Sequence, residues 1–545
     1  MMTLSMRKFL DSGTLFVWLC GGGLALSLLM IVGLMSLIMV NGLGYFWPKD
    51  LEQFTLKDGT SVLGEVTGQE VIHNSVNVEY PEGKGRIQLK VANRDLYGLD
   101  FRWVDEEQIQ SRTKPKDVVF LERREWGNFF GRLHVIKQGD VVVTSENQAI
   151  VGALLPLVEH VNGIHDEIRH LEKDVIGLIN YQMEEYRLKF KSLTTGEEKS
   201  SLQATELKQQ LETLQIEYEE QANILRALYE KLGEYTVVLK DVNGKQKDLA
   251  VGEIVRVLQP NDMSVFLKMW TYIGNVWTVV SEEPREANTE GGIFPAIFGT
   301  VLMVVIMSIA VVPFGVLAAI YLKEYAKQGF LVRMVRIAVN NLAGVPSIVF
   351  GVFGLGFFVY AVGGSIDALF YPESLPTPTF GTGGILWASL TLALMTVPVV
   401  IVATEEGLSA VPREYREGSL ALGATKLESL WKVVIPCAMP GILTGLILAI
   451  SRATGEVAPL MLTGVVKLAP SLPLDNYFPF LHLDRKFMHL GFHIYDVGFQ
   501  SPNVEAAKPM VYVTTLILVA VVVLLNMAAI SIRNRMRRKY AGSTV

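Results

Sequence analysis

Apolar runs of membrane-spanning length divide this chain into segments. Six runs reach the roughly 20 residues that a helix needs to cross a bilayer. They lie at about 14–40, 293–322, 337–360, 384–404, 437–462 and 510–532. The first run is too long for the apolar part of a cleaved signal peptide, so we expect an N-terminal transmembrane helix within residues 1–40.

The pattern changes between the first two runs, where polar and apolar residues alternate over short stretches. This period-two alternation predicts strands at Val76–Tyr80, Arg86–Val91 and Tyr235–Leu239. The pair Asn243-Gly244, which follows the third stretch, predicts a tight hairpin turn. We therefore expect a large insert with strands between the first and second transmembrane helices.

Within the insert, from about 151 to 233, the apolar residues repeat at alternating intervals of four and three. The first series is Ile164, Ile168, Leu171, Val175 and Leu178. The second is Leu207, Leu211, Leu214 and Tyr218, followed seven residues later by Leu225, Leu228 and Leu232. A polar stretch at 194–199 separates them, which predicts two helices in an antiparallel coiled-coil hairpin about 60 Å long. Such a hairpin would serve either as a rigid spacer or as a docking arm for a partner.

Composition supports a membrane core joined to a polar domain, because half of the residues are hydrophobic and the mean hydropathy is +0.32. The net charge of −6 is too small to indicate a nucleic-acid partner. Cys20 and Cys437 both lie in apolar runs and cannot build a disulfide framework. Four histidines of the insert lack partners at metal-ligand spacing, so we expect no metal site. These histidines are His134, His160, His165 and His170.

Lysine and arginine residues cluster in alternate loops between the apolar runs. The clusters are Arg7 and Lys8; Lys323, Lys327, Arg333 and Arg336; Arg413, Arg416, Lys426 and Lys432; and Arg533, Arg535, Arg537, Arg538 and Lys539. Because such residues favour the cytoplasmic side, we expect both termini in the cytoplasm. Residues 41–290 then form an external α+β insert and residues 533–545 a basic cytoplasmic tail. The aromatic segment Val265–Val280 is expected at the outer membrane interface.

The predicted cytoplasmic loop 405–436 has a helix–glycine–helix pattern. We expect a short amphipathic helix that Gly423 terminates, then a second short helix, and a stop at Pro436. An elbow of this kind suits docking into a groove on a soluble partner. A solvated connector would have the same composition and is the alternative.

The same loop resembles the coupling-loop signature of bacterial ABC importer permeases. The family pattern of Glu-Ala-Ala, Gly and an aliphatic-x-aliphatic-Pro ending falls on Glu417-Gly418-Ser419, Gly423 and Val433–Pro436. The resemblance implies that this loop inserts into an ATPase subunit. The sequence contains no Gly-x-x-x-x-Gly-Lys-Ser/Thr phosphate loop, so we expect a separate polypeptide to hydrolyse ATP and do not expect this chain to be an enzyme.

Arg452 and Glu456 are isolated charges in the apolar stretch between Cys437 and Thr463. A charge at the bilayer centre costs about 2.5–3.5 kcal/mol on insertion scales, so this pair is a candidate substrate pathway. An arginine presents a fork of donors that matches an oxyanion. Pro459 is expected to open the backbone beside Glu456. The alternative is a self-neutralised ion pair that holds two subunits together, although arginine before glutamate is the weaker order within a helix.

Four further stretches resemble a more specific family than the coupling loop does. They are Gly291–Thr300, Pro313–Ala326, Leu342–Gly354 and Arg452–Leu460. Together they resemble the PstA-type permeases of phosphate ABC transporters over roughly 270–532. The resemblance implies an all-α membrane protein of six transmembrane helices, with a type I ABC importer permease core at 291–532, in the bacterial inner membrane. The implied partners are a PstC-type sister permease, a PstB-type ATPase dimer, a PstS-type phosphate-binding protein and membrane lipid, without a cofactor.

Combined with the charged pair, this resemblance gives a hypothesis in which Arg452 attracts phosphate and Glu456 prevents overly tight capture. Glu456 can also accept a proton-bearing oxygen of phosphate, which fully ionised sulfate lacks. A permease for another oxyanion, such as molybdate or sulfate, is the main alternative. A coiled-coil membrane sensor would need a cytoplasmic output domain, which the short segment after Ile532 is not expected to supply.

Overall fold

The computed structural model of the chain describes residues 14–72, 84–144, 147–195, 201–501 and 504–541. Within these residues, six helices are long and apolar enough to cross a membrane. In chain order these spans are Phe16–Gly44, Phe294–Tyr325, Ser347–Phe370, Ile385–Ser409, Lys426–Thr454 and Val504–Lys539. Each overlaps one predicted run, so the predicted number and order of candidate membrane helices are confirmed.

The first span is helix α1 (Thr14–Gly44), and the insert that follows it contains two antiparallel sheets. The main strands are β1 Glu52–Leu56, β2 Ser61–Ile72, β3 Lys84–Lys90, β4 Phe101–Asp105, β5 Ile109–Thr113, β6 Val119–Arg123, β7 Phe129–Gln138, β8 Val141–Thr144, β9 Tyr235–Lys240, β10 Gln246–Ala250 and β11 Ile254–Leu258. One sheet has the order β4-β3-β2-β1-β5. The other has the order β10-β9-β7-β6-β11, with β8 paired to β7.

The predicted strands Arg86–Val91 and Tyr235–Leu239 are confirmed as β3 and β9, with β3 shifted by one or two residues. The predicted strand Val76–Tyr80 lies outside the described residues. The predicted turn joins β9 to β10, and Gly244 has φ +83°, a conformation that glycine adopts without strain.

The helices of the insert include a long pair that projects from the second sheet. They are α2 Arg94–Tyr97, α3 Asn147–His170, α4 Gly177–Thr195, α5 Ser201–Leu232 and α6 Val265–Ser281. A π-helical turn, Leu171–Ile176, joins α3 to α4. We call this turn, α4 and α5 the helical arm. The base of α3 packs through Ile150 and Leu154 on the sheet core, which contains Phe129 and Leu239.

The two sides of the helical arm run antiparallel. The Tyr229 hydroxyl near the end of α5 donates a hydrogen bond to Glu172 Oε1 at the start of the arm, 2.8 Å away. Every predicted seam position of α5, from Leu207 to Leu232, is buried or half-buried. The burial of this face follows from the apolar repeat in the sequence.

The predicted seam of the first helix is correct up to Leu171 and is displaced by one residue beyond it. Ile176 and Ile179 are the buried positions, whereas Val175 is only half-buried and Leu178 is exposed. The reason is the π-helical turn, which adds one residue to a turn and moves every later position by one.

Two short strands, β12 (Pro284–Arg285) and β13 (Glu290–Gly291), lead into the membrane core. The helices of the core are α7 Phe294–Ile320, α8 Phe330–Leu342, α9 Ser347–Phe353, α10 Gly364–Phe370, α11 Ile385–Ser409, α12 Arg413–Ala421, α13 Lys426–Ser429, α14 Ile435–Thr454, α15 Ala458–Thr463, α16 Leu490–Tyr495 and α17 Val504–Ala541. Helix α11 lies at the centre and packs against α7 and α14. A Cβ on Gly441 of α14 would lie 2.6 Å from the Gly407 Cα of α11, so glycine permits this close crossing.

The third span differs from its prediction at 337–360. Residues 330–342 form the separate helix α8, and the span begins at Ser347 after Pro346. A proline disfavours helical backbone in the residue before it, which explains the interruption. The span then runs through α9, a π-helical stretch Gly354–Gly363 and α10.

The predicted stop at Pro436 is wrong. Helices α13 and α14 form one continuous span, joined by the π-helical turn Leu430–Val434 immediately before the proline. The wider turn accommodates the residue that cannot donate a backbone hydrogen bond. The fifth span therefore begins at Lys426 inside the elbow and ends at Thr454, instead of running from 437 to 462.

Candidate functional site

The charged pair lies where the fifth span ends. Arg452 is on the last turn of α14, and Glu456 follows it in the gap before α15. Arg452 Nε lies 3.7 Å from Glu456 Oε1, which is ion-pair distance but longer than a hydrogen bond. The side chains are 33% and 22% exposed, respectively. The structure thus brings the two predicted residues together and leaves both accessible.

The helix is interrupted beside Glu456, as predicted. The Glu456 amide donates to the Ala453 carbonyl at 3.2 Å, a tightened last turn, and Val457 lies outside the helical conformation. Pro459 then occupies the first turn of α15, where its missing donor costs nothing. The interruption gives the fifth span a bent end at the charged pair.

A hydrogen bond between the fifth and sixth spans holds the residue next to Arg452. The side-chain amide of Asn526 on α17 donates to Ser451 Oγ at 2.8 Å. Sequence reasoning missed this contact. The available signal was the lone amide in the apolar run of the sixth span, because polar residues within spans usually find a partner or serve a function.

Helix α16 packs against the other side of the interruption. A Cβ on Gly491 would lie 2.9 Å from Val457 Cγ2. His489 begins α16 and accepts a hydrogen bond from the Gly491 amide at Nδ1. Burial lowers the pKa of His489 to about 3 and that of His493 to about 4. Both imidazoles are therefore neutral near pH 7.

The predicted ATPase-coupling residues lie in the elbow formed by α12 and α13. Glu417, Gly418 and Ser419 are on α12, where Glu417 and Gly418 face solvent. Gly423 follows the helix with φ +86°, so the prediction that it terminates the first helix is confirmed. Pro436 lies outside the elbow, in the first turn of α14 within the fifth span.

Side-chain hydrogen bonds fix the angle of the elbow. Ser419 Oγ on α12 and Ser429 Oγ on α13 are 2.5 Å apart. Thr425 and Glu428 form a reciprocal capping box at the start of α13. Ser419, one of the two departures from the alanines of the family pattern, thus forms the hydrogen bond that closes the elbow.

The elbow is also bonded to the end of the second span. Arg416 forms an ion pair with Glu324 Oε1 at 3.0 Å. The Lys426 ammonium donates to the Glu324 carbonyl oxygen and lies 4.6 Å from the centre of the Tyr325 ring. Sequence reasoning missed Glu324, although its position at the end of an apolar run beside a basic loop was the visible signal.

The outer surface of the elbow carries large apolar side chains. Leu422 is 91% exposed, and Leu420, Leu427 and Trp431 are between 47% and 59% exposed. Exposed apolar residues grouped on a charged surface are typical of a protein interaction site. Among the described residues, no group of three or more His, Cys, Asp or Glu is placed to hold a metal ion.

Comparisons with known proteins place the membrane core in a family. A model of the family described as "Binding-protein-dependent transport system inner membrane component" matches residues 311–541. The chain is 34% identical over 274 residues to the phosphate transport system permease protein PstA 1 of Mycobacterium tuberculosis, covering 49% of this chain and 81% of that relative. It is 32% identical over 254 residues to PstA of Yersinia pestis, covering 47% and 76%.

Two further similarities are to a probable permease and to a solved transporter structure. The probable ABC transporter permease protein YqgI of Bacillus subtilis is 31% identical over 223 residues, covering 40% of this chain and 70% of that relative. An inward-facing structure of the MetNI methionine ABC transporter aligns with a TM-score of 0.33 at 20% identity, over 48% of this chain and 97% of the other. From the match to 81% of a PstA relative at 34% identity, the chain belongs to the PstA-type permeases of binding-protein-dependent ABC transport systems.

Proposed function

We propose that this chain is the transmembrane permease subunit of an ATP-driven importer of inorganic phosphate. The observation that carries the proposal is the 34% identity to a phosphate transport system permease along 81% of its length. The Arg452–Glu456 pair supplies the chemistry for an oxyanion at the end of the fifth span.

We infer that Arg452 and Glu456 line the phosphate pathway. The arginine offers a fork of donors to phosphate oxygens. Glu456, at 3.7 Å, competes for the same cation and so limits how tightly the anion is held. An interrupted helix at membrane depth must be buried in protein or line a cavity, which supports a pathway at this place.

The elbow is the proposed ATPase-coupling element. Its exposed leucines and Trp431 would dock into a groove of a nucleotide-hydrolysing subunit. Ser419 and Gly423 would set the shape of the elbow, and Glu417 and Gly418 lie on its solvent-facing side. Because α13 continues into α14, a displacement of the elbow reaches Arg452 along one helix of about 40 Å. The contact between Arg416 and Glu324 transmits the same displacement to the second span.

The proposed complex contains a PstC-type sister permease, a PstB-type ATPase dimer and a PstS-type phosphate-binding protein in a bacterial inner membrane. Both termini are proposed to be cytoplasmic. The proposed segments are an N-terminal transmembrane helix at 1–40, an external insert at 41–290, the permease core at 291–532 and a basic tail at 533–545.

We infer that the helical arm is an antiparallel coiled-coil hairpin that acts as a docking arm beside the outer mouth. Its Tyr181 hydroxyl donates to the Phe478 carbonyl at 2.8 Å, and its ring stacks on Tyr477 at 5.8 Å. Lys191 donates to the Leu375 carbonyl at 2.6 Å. The arm therefore touches the loops before the fourth and sixth spans, and the docking role is favoured over a remote spacer.

Competitive uptake tests the substrate. Vesicles that contain the assembled transporter should accumulate labelled phosphate, and excess unlabelled sulfate or molybdate should leave that uptake unchanged. Inhibition by either anion at concentrations near that of phosphate would favour the alternative of a permease for another oxyanion.

Co-purification tests the helical arm. The full chain and a variant in which a short Gly/Ser linker replaces residues 173–228 of the arm are purified from the same membranes. Glu172 and Tyr229, which are hydrogen-bonded to each other, flank the replaced segment. A docking arm predicts loss of one external partner in the variant, with the ATPase and sister permease retained. Identical partners in both preparations would contradict the docking role.

A further inference from the structure

Helix α6 exposes a continuous stripe of large apolar side chains. The stripe consists of Phe266, Trp270, Ile273, Trp277 and Val280, and each is 37–80% exposed. Their spacing of four, three, four and three residues places them on one face of the helix. The stripe is far more apolar than a solvated face, which indicates that another apolar phase or surface covers it.

The opposite face of α6 packs on the ends of membrane spans. Tyr272, Val276 and Val279 belong to one apolar cluster with Phe46, Ile293, Ala296, Ala507 and Met510. These partners mark the end of the first span, the start of the second and the start of the sixth. Since consecutive spans alternate in direction, all three ends lie at the same membrane boundary, and α6 lies at its level.

Polar contacts fix α6 to the insert as well. The Asn275 side chain donates to the Phe46 carbonyl at 2.7 Å and accepts a bond from Arg256 of β11 at 2.6 Å. Lys268 forms an ion pair with Asp50, just before β1. The helix therefore joins both sheets of the insert to the membrane core.

We propose that α6 lies in the membrane interface, with the stripe inserted at the boundary between lipid headgroups and acyl chains. Tryptophan is enriched at this depth because its ring is apolar and its indole N–H is polar. The occupant is lipid, because the stripe is level with the ends of spans whose apolar faces are themselves exposed, such as α1. Helix α6 thereby gives the insert a third attachment to the membrane, besides the first and second spans.

Site-directed spin labelling tests the proposal in the assembled transporter. The native cysteines are first replaced, as Cys20→Ser and Cys437→Ser, and single labels are placed at Trp270→Cys and Trp277→Cys. The matched control is Ile216→Cys on α5, because Ile216 and Trp270 are each 69% exposed. The complex is reconstituted in phosphatidylethanolamine–phosphatidylglycerol vesicles.

At positions 270 and 277, collisions with membrane-soluble oxygen should exceed those with the water-soluble nickel chelate several-fold. At position 216 the nickel chelate should dominate. Nickel accessibility at 270 equal to that at 216 would overturn the proposal in favour of a solvated face. Shielding of 270 from both reagents would overturn it in favour of a protein partner. If a tryptophan variant fails to assemble, a label at Phe266→Cys provides the same accessibility measurement on the stripe.

Discussion

Arg452 is held by two different constraints, and only one of them is visible in the sequence. The carboxylate of Glu456, at 3.7 Å, follows from the four-residue spacing and the helical period. The hydrogen bond from Asn526 to the adjacent Ser451 joins residues 75 positions apart, and no local pattern encodes such a contact. The sequence could therefore predict the charged pair but not the element that orients it.

Replacing the amide in the sixth span should loosen that orientation. Asn526→Leu removes a bond of about 0.6–1.7 kcal/mol, the range measured between membrane helices. We expect a lower apparent melting temperature and a lower maximal phosphate uptake. Thr515→Val is the matched control, because Thr515 bonds only within its own helix to the Val511 carbonyl among the described contacts. Equal uptake and stability in both variants would rule out an orienting role.

The buried histidines beside the interruption should make stability depend on pH. Burial lowers the pKa of His493 from 6.5 to about 4, so below pH 6.5 the unfolded chain binds a proton that the folded chain does not. The contribution of neutral His493 to the free energy of unfolding is therefore fully present above pH 6.5 and is lost as the pH falls towards 4. The loss from His493 at pH 5 is about 2 kcal/mol.

His493→Gln should flatten the decline of the apparent melting temperature between pH 7 and pH 5. His489, whose pKa is lowered to about 3, retains its own contribution of the same sign. His160→Gln, at an exposed position, is the control and should keep the wild-type slope. An unchanged slope in His493→Gln would show that this imidazole is protonated in the folded protein.

At the scale of elements, hydropathy predicted six spans because a bilayer demands about 20 consecutive apolar residues. The predicted bounds were wrong where Pro346 interrupts a helix and where a π-helical turn changes the number of residues per turn. Such turns moved the seam of the arm from Val175 to Ile176 and carried the fifth span through Pro436. Their hydrogen bonds depend on packing by neighbouring elements, so residue type alone did not reveal them.

The elbow offers two glycines whose conformations predict opposite outcomes. Gly423→Ala places a Cβ at φ +86°, which costs about 1–2 kcal/mol and should reorient α13. Gly418→Ala is helical and meets no atom within 4 Å, so it should be neutral or stabilising. We expect less ATPase co-purified with Gly423→Ala and wild-type amounts with Gly418→Ala. Equal amounts of co-purified ATPase with both variants would contradict a role of the elbow geometry in coupling.

For the whole molecule, the fifth span connects the proposed ATPase contact to the proposed phosphate site without a break. Helix α13 begins in the elbow, and the same span ends at Thr454, between Arg452 and Glu456. The sixth span and α16 support the far end through Asn526 and Gly491. Membership of the PstA-type family could be predicted from motifs in the core, whereas the insert lies before the residues that the family model matches.

The most direct test of this account is phosphate uptake by transporter that carries Arg452→Gln or Glu456→Gln, with assembly of the complex verified. Loss of a charge-assisted contact of about 1.5–3 kcal/mol predicts roughly a tenfold or larger fall in uptake for Arg452→Gln. Glu456→Gln should change both the apparent affinity for phosphate and the maximal rate. Arg537→Gln, at an exposed position in the last turns of α17, is the matched control and should transport normally. Wild-type uptake in both Arg452→Gln and Glu456→Gln would contradict the account.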